Sequence, residues 1–309
     1  MGDRPRFVDR IRALGILWLL AVFPAMLSTG ALAQASTVSS QVCANCHTNA
    51  LVMLQTKHGV KSDPRTPFGS GKECQACHGD ASKHVKAPTE NSMPVKFGKK
   101  HESGPQSEAC LTCHKGGKRI HWDGGAHERT GQTCASCHNI HAPKDQVLVR
   151  ETQAGVCFTC HKDKRAEILR FSSHPIKTGA MTCSNCHNPH GSVGEFNLVR
   201  DTVNETCYQC HADKRGPFLW EHPPAREDCS NCHNPHGTSS SQMLKARMPY
   251  LCQSCHNLQF HPSTAYSGSN LPPFPKGGTS GDKMLGQSCA NCHSKVHGSN
   301  HPAGARFTR

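Results

Sequence analysis

Long apolar runs are almost absent from this 309-residue chain. The one candidate, Ile16 to Leu27, falls short of the roughly 20 residues that span a bilayer. No segment shows the ten-residue alternation of a transmembrane β-strand, and no other strand pattern stands out. Large apolar side chains are scarce too, with 3 Trp, 3 Tyr and 11 Phe against 27 Gly and 20 Pro. A domain of this length ordinarily needs a sizeable aliphatic core. This composition does not supply one, so something other than side chains must fill the interior.

The N-terminus reads as an export signal. Arg4, Arg6, Arg10 and Arg12 form a basic head before the short apolar run, and Ala31-Leu32-Ala33 offers a small-x-small cleavage site. Residues 1–33 are therefore expected to be a signal peptide and 34–309 the mature domain. Ala33-Gln34-Ala35 is a second cleavage frame, and an uncleaved anchor helix is the alternative.

Cysteine is what the chain has in abundance. All 20 fall in Cys-x-x-Cys-His runs and none is left over. In chain order, motifs 1 to 5 are Cys43/Cys46/His47, Cys74/Cys77/His78, Cys110/Cys113/His114, Cys134/Cys137/His138 and Cys157/Cys160/His161. Motifs 6 to 10 are Cys183/Cys186/His187, Cys207/Cys210/His211, Cys229/Cys232/His233, Cys252/Cys255/His256 and Cys289/Cys292/His293. This spacing attaches a c-type haem: two thiols form thioethers to its vinyl groups, and the next histidine points at the iron as proximal ligand. Disulfides do not demand a histidine after every second cysteine. Four-thiolate zinc sites leave the ten histidines unexplained, and iron–sulfur clusters use other spacings. Ten covalently bound haems follow, and they are large enough apolar bodies to serve as the core. The haem-free chain is expected to be largely unfolded.

Thirteen histidines lie outside the motifs. Five follow the second motif of each pair: His84, His141, His190, His236 and His297. Five precede it: His58, His127, His174, His222 and His261. These ten are the candidate distal ligands. His101, His121 and His301 remain, with His121 an alternative to His127 and His301 to His297. Which distal histidine serves which haem is not readable from sequence. Met53, Met93, Met181, Met243, Met248 and Met284 show no regular placement, so thioether ligation is disfavoured. Two imidazoles per iron leave no position for substrate, which points to electron transfer and away from catalysis. No motif replaces its proximal histidine with lysine, removing the strongest hint of a nitrite-reducing haem.

The net charge of +13 looks like a nucleic-acid signal. Losing residues 1–33 removes four Arg and two Asp and leaves +11. Twenty ionised propionates, offset by one positive charge per ferric core, bring the loaded protein to about +1 oxidised and about −9 reduced. The basic excess is better read as compensation for propionates than as a phosphate-binding face.

A longer period overlies the motifs. Cys110, Cys157, Cys207 and Cys252 are separated by 47, 50 and 45 residues, so each repeat holds two haems. The repeats run approximately 43–84, 101–141, 157–191, 207–237 and 252–301. Leu148-Val149-Arg150 precedes Cys157 as Leu198-Val199-Arg200 precedes Cys207. The expected fold is a multihaem cytochrome c, mostly coil with short α-helices and little or no β, an elongated array of haem-pair repeats. A short helix is expected within 162–171. Leu258 to Gly286 and Ala87 to Gln106 read as loops.

The arrangement resembles the decahaem cytochromes of the porin–cytochrome family, the MtrA, MtoA and DmsE type. The likeness rests on the count of ten motifs and the approach Lys57-His58-Gly59. It rests also on the Cys-Ser-Asn-Cys-His-Asn-Pro-His-Gly copies at 183–191 and 229–237 and the ending His297-Gly298-Ser299-Asn300-His301-Pro302. It implies bis-histidine haems in a near-linear wire seated in an outer-membrane β-barrel porin-like protein, exchanging electrons between periplasm and exterior. The implied partners are that barrel, a periplasmic or inner-membrane cytochrome, and an extracellular multihaem cytochrome. Loop-rich backbone cannot face hydrocarbon, where its amides go unsatisfied, so such a chain crosses only inside another protein. The alternatives are a soluble periplasmic carrier serving a terminal reductase and a haem enzyme acting on a small nitrogen or sulfur compound.

Overall fold

A computed structural model describes residues 38–256 and 288–308. The expected signal peptide, His261 and the whole of the proposed 258–286 loop lie outside the described residues. No described helix is long and apolar enough to cross a membrane.

The described chain is mostly coil threaded by short helices. None of its segments forms a named strand, and pairing is limited to isolated bridges such as Ser172–Thr238 and His187–Leu198. The motifs dictate where the helices fall. In all ten, the N–H of the motif histidine donates to the carbonyl of the first motif cysteine at 2.9–3.1 Å. That single helical turn sets the first thiol and the imidazole on one face.

The odd motifs are entered by helices, the longest being Ser103–Leu111, Arg150–Phe158 and Val203–Tyr208. Helices this short are marginal alone and need their surroundings. Motifs 4, 6, 8 and 10 are single capped turns instead. Thr133 and Ser136 form a capping box, Thr182 and Asn185 another, and Asp228 and Ser288 accept from the N–H groups of Ser230 and Ala290. The helix expected within 162–171 runs Lys162–Ile168.

One expectation is corrected. The proposed loop from Ala87 to Gln106 already enters a helix at Ser103. Gln106, 2 % exposed, explains it. Its side-chain NH₂ donates to the carbonyls of Gly98, His101 and Glu102, and its side-chain oxygen accepts from the Gly98 N–H. A buried carboxamide thus orders the preceding turn, which a Gly- and Lys-rich sequence does not advertise.

Apolar packing is thin, as composition demands. The buried apolar residues are Ala44, Met53, Phe68, Ala81, Trp122, Ala154, Ile168, Leu198 and Leu244, and no described large side chain is completely enclosed. Polar side chains share the work. Asn204 donates to the carbonyls of Ala225 and Arg226 and accepts from the Cys229 N–H at 2.7 Å, tying the helix of motif 7 to the start of motif 8.

Candidate haem-binding site

All twenty cysteines are unbridged. Within each pair of motifs the two first cysteines meet: Cys43 with Cys74, Cys110 with Cys134, Cys157 with Cys183, Cys207 with Cys229 and Cys252 with Cys289. Between pairs the second cysteines are neighbours instead, Cys77 with Cys113, Cys137 with Cys160, Cys186 with Cys210 and Cys232 with Cys255. Alternating in this way, the contacts join motifs 1 through 10 in chain order. Burial, with the adjacent thiol behind it, pushes Cys74 and Cys252 up to about 11. Among the described residues no three His, Cys, Asp or Glu side chains converge as a zinc cage requires.

Cys46 and Cys292 depart from the uniform set of twenty thiols that the motif count implies. They are the second cysteines of motifs 1 and 10, and the structure does not bring them into this succession as it does the other eighteen. The reason is positional: motif 1 has no pair before it and motif 10 none after it, whereas exposure does not set them apart, since Cys113, Cys137, Cys160, Cys210 and Cys255 are exposed as well. Their assignment as thioether donors rests on the motif turn alone. In that turn the Cys46 N–H donates to the Cys43 carbonyl, and the Cys292 N–H to the Cys289 carbonyl, each at 3.2 Å.

The imidazoles come in facing pairs, each joining a motif histidine to one outside the motifs. Even motifs pair forward along the chain. His78 faces His141 at a ring-centroid distance of 6.2 Å, His138 faces His190 at 6.1 Å, His187 faces His236 at 6.0 Å and His233 faces His297 at 6.2 Å. Odd motifs from the third onward pair backward. His114 faces His58 at 5.9 Å, His161 faces His127 at 6.1 Å, His211 faces His174 at 6.3 Å and His256 faces His222 at 6.1 Å. At the start, His47 faces His84 at 6.2 Å. Two metal–imidazole bonds of about 2 Å each, with each ring centre set back roughly 1 Å from its nitrogen, ask for about this spacing. The donor set and its geometry therefore fit one haem iron per pair.

The forward pairing has a local cause. Asn139, Asn188 and Asn234 directly follow their motif histidines, and each side-chain oxygen accepts from the N–H two residues on, at His141, His190 and His236. This turn presents the next imidazole back toward the preceding even motif. From motif 4 onward, each even motif thus carries, three residues past its own histidine, the partner for the even motif before it; at motif 10 the offset is four, to His297.

Second partners orient the rings. Among the outside histidines, Nδ1–H of His127 donates to the Pro189 carbonyl at 2.8 Å, His174 to Pro235 at 2.8 Å, His222 to Val296 at 2.9 Å and His84 to Thr89 at 3.0 Å. Among motif histidines, His187 donates to the Phe196 carbonyl at 2.9 Å, His233 to Gln242 at 2.8 Å and His293 to Arg306 at 2.6 Å. His138 differs by using the Asp145 carboxylate, at 2.6 Å. A carbonyl can only accept, so the proton sits on Nδ1 and leaves Nε2 for a metal. Burial pulls His78, His114, His236 and His297 below the ordinary imidazole value and His190 down to about 4, which keeps them neutral and able to bind iron.

The three leftover histidines are engaged differently. His101 Nε2 pairs with Glu90 at 2.8 Å, and His301 Nδ1 accepts from the Ala303 N–H. The His121 backbone packs against Gly191. None of the three faces a motif imidazole among the described residues. Sequence reasoning missed the anchoring groups, above all Asp145 and the carbonyls of Pro189 and Pro235. The repeated Asn-Pro-His-Gly run was the available signal.

Comparison with known proteins supports covalently bound c-type haems. The doubled CXXCH motif family matches residues 174–216 and 222–259, and the cytochrome c-type protein NrfB-like family matches 74–154. Multiheme cytochrome MtrA of Shewanella baltica (strain OS185) is 43% identical over 274 residues, covering 86% of this chain and 80% of that protein.

Proposed function

This chain belongs to the MtrA family of multihaem c-type electron-transfer cytochromes, and from that premise we propose that it is a ten-haem conduit carrying electrons between periplasm and cell exterior through a porin-like barrel. The observation that carries the reading is the set of nine facing imidazole pairs, running in chain order beside an unbroken succession of neighbouring motifs. When bound, haem supplies an iron that takes up and releases one electron reversibly. The chain's residues do the rest. Twenty thiols, the exposed terminal pair Cys46 and Cys292 included, fix the positions by covalent bonds. Motif histidines would each hold an iron from one side, and His84, His58, His141, His127, His190, His174, His236, His222 and His297 would hold it from the other. His261, outside the described residues, is proposed as the partner of His293. An iron held by two imidazoles would leave substrate nowhere to bind, so the protein is read as a carrier rather than an enzyme.

Pairing across repeats also serves conduction. Because even motifs 2, 4, 6 and 8 are each completed by the next repeat, no repeat can swing away without surrendering a ligand. Inter-haem distances are thereby held by coordination bonds, where the thin apolar core alone would leave them loose.

The barrel is supported by the family and by backbone chemistry. Coil of this kind needs a protein sheath to cross lipid, since exposed amides find no partners in hydrocarbon. The proposed partners are that barrel, a periplasmic or inner-membrane cytochrome, and an extracellular multihaem cytochrome. Gentle detergent extraction of native outer membranes tests this directly. The chain should co-purify with a β-barrel protein. Recovery as a free monomer in the periplasmic fraction, without detergent, would instead favour a soluble carrier serving a terminal reductase.

A further inference from the structure

The second partners of the motif histidines at motifs 4, 6, 8 and 10 follow a rule with one exception. At motifs 6 and 8 the imidazole donates to the carbonyl of a residue in left-handed conformation, Phe196 (φ 55°) or Gln242 (φ 56°). At motif 10 it donates to Arg306, whose neighbour Phe307 is left-handed (φ 56°). These acceptors are neutral. At motif 4 the loop is one residue shorter: ten positions separate His138 from Leu148, where eleven separate His187 from Leu198 and His233 from Leu244. The left-handed pair is absent from this shorter loop. Asp145 takes the carbonyl's place with a negative charge.

The site is built rather than incidental. The Asp145 side chain is 14 % exposed. One oxygen, Oδ2, lies 2.6 Å from His138 Nδ1. The other, Oδ1, accepts from the N–H groups of Asn139 at 3.3 Å and Val147 at 3.4 Å. No described lysine or arginine is ion-paired with it.

We propose that Asp145 is a positioning residue that lowers the reduction potential of the haem at Cys134 and Cys137, making motif 4 a low-potential step in the wire. This rests on the bis-histidine reading above. A carboxylate draws the Nδ1 proton more strongly than a carbonyl does and makes Nε2 a stronger donor. A stronger donor favours ferric over ferrous iron.

Two other charged features do not reproduce or cancel the effect. Glu167 approaches His236 of the motif 6 pair, but at 3.4 Å, and Lys164 sits 3.2 Å from the same carboxylate and offsets its charge. Arg119 and Lys118 lie near His190, on the far side of the motif 4 pair, and favour ferrous iron. They act through space from partly or fully exposed positions, where solvent and salt screen them. Asp145 acts through a short hydrogen bond on the ligand itself.

Spectroelectrochemical titration of the fully loaded protein tests this, comparing wild type with Asp145→Asn, which keeps a neutral acceptor of the same shape. One tenth of the total absorbance change should move to higher potential, with the other nine tenths unmoved. Superimposable titrations from two proteins that both carry ten low-spin haems overturn the proposal. A wild type with fewer than ten haems by mass, or with a high-spin centre, overturns the bis-histidine reading instead, so the two failures are distinct. If Asp145→Asn loses its haem, Asp145→Glu serves. Retaining the carboxylate should keep that tenth at the low-potential end, and its displacement upward counts against the proposal.

Discussion

His127 and Pro189 lie 62 residues apart and are joined by one hydrogen bond, Nδ1–H to carbonyl, at 2.8 Å. The residue after Pro189 is His190, which faces His138. One peptide therefore orients the outside imidazole of motif 5 and carries that of motif 4. The same device joins His174 to Pro235 beside His236, and His222 to Val296 beside His297. Neighbouring haem sites are coupled through the backbone in three successive repeats.

Removing one outside imidazole should expose one iron. His127→Ala is expected to convert one tenth of the ferric haem to high spin, read from the optical charge-transfer band. Alanine at His101, His121 or His301 should leave every haem low-spin. A high-spin fraction from any of those three would reassign the ligands.

Ring orientation should be visible in the ferric spectrum. Parallel imidazole planes split the iron dπ orbitals strongly, and perpendicular planes leave them nearly degenerate. His138–His190, His187–His236 and His233–His297 are inclined by only 10–14°. His58–His114 and His127–His161 stand at 86° and 80°. Low-temperature electron paramagnetic resonance should show ordinary rhombic signals from the first group and strongly anisotropic ones from the second. A uniformly rhombic spectrum would contradict the orientations.

Gly191 holds φ at +100°, and a Cβ there would run into the His121 carbonyl. Gly191→Ala should destabilise the loaded protein by about 1–3 kcal/mol through left-handed strain and loosen His190 just before it. Gly155, inside Arg150–Phe158 with open space around it, is the control. Alanine there should stabilise by about 0.5–1 kcal/mol. Denaturant midpoints followed at the haem absorbance decide between them.

Acid should spare the ligands until late. Burial, then the adjacent His138 ring and the Arg119 and Lys118 charges, hold His190 down to about 4 from an ordinary 6.5. A folded value below the unfolded one means the neutral ring is favoured by folding. That contribution is complete above pH 6.5 and is lost as pH falls through about 4. Bound iron competes for the same lone pair and pushes the same way. The ferric spectrum should hold from pH 7 to 5 and turn high-spin only below about 4. A transition centred near 6.5 would contradict the burial.

The covalent part of the site was legible because it is local: each Cys-x-x-Cys-His spans one helical turn, and its spacing states its chemistry. What the spacing did not distinguish is that Cys46 and Cys292 stand at the ends while the other thiols adjoin a second motif, since every copy reads alike. The coil-rich, strandless fold was legible from the scarcity of apolar side chains. The pairing of histidines was not. His141 reaches back to His78 and His58 forward to His114, across whole repeats, and no local pattern encodes which of several regularly spaced imidazoles will meet. Asp145 was hidden for a related reason. Its meaning appears only when the loop is set beside the copies at 195–198 and 241–244 and found one residue short. The helix entered at Ser103 was concealed by the burial of Gln106, a tertiary effect that propensity does not carry.

An experimental structure of the loaded protein, at a resolution that shows axial ligands, tests the whole account most directly. It should place one iron between the two imidazoles of each of the nine pairs from His47–His84 to His222–His256, with ten haems following one another in chain order. An iron with an open axial position, or one shared by a different pair of histidines, would contradict it.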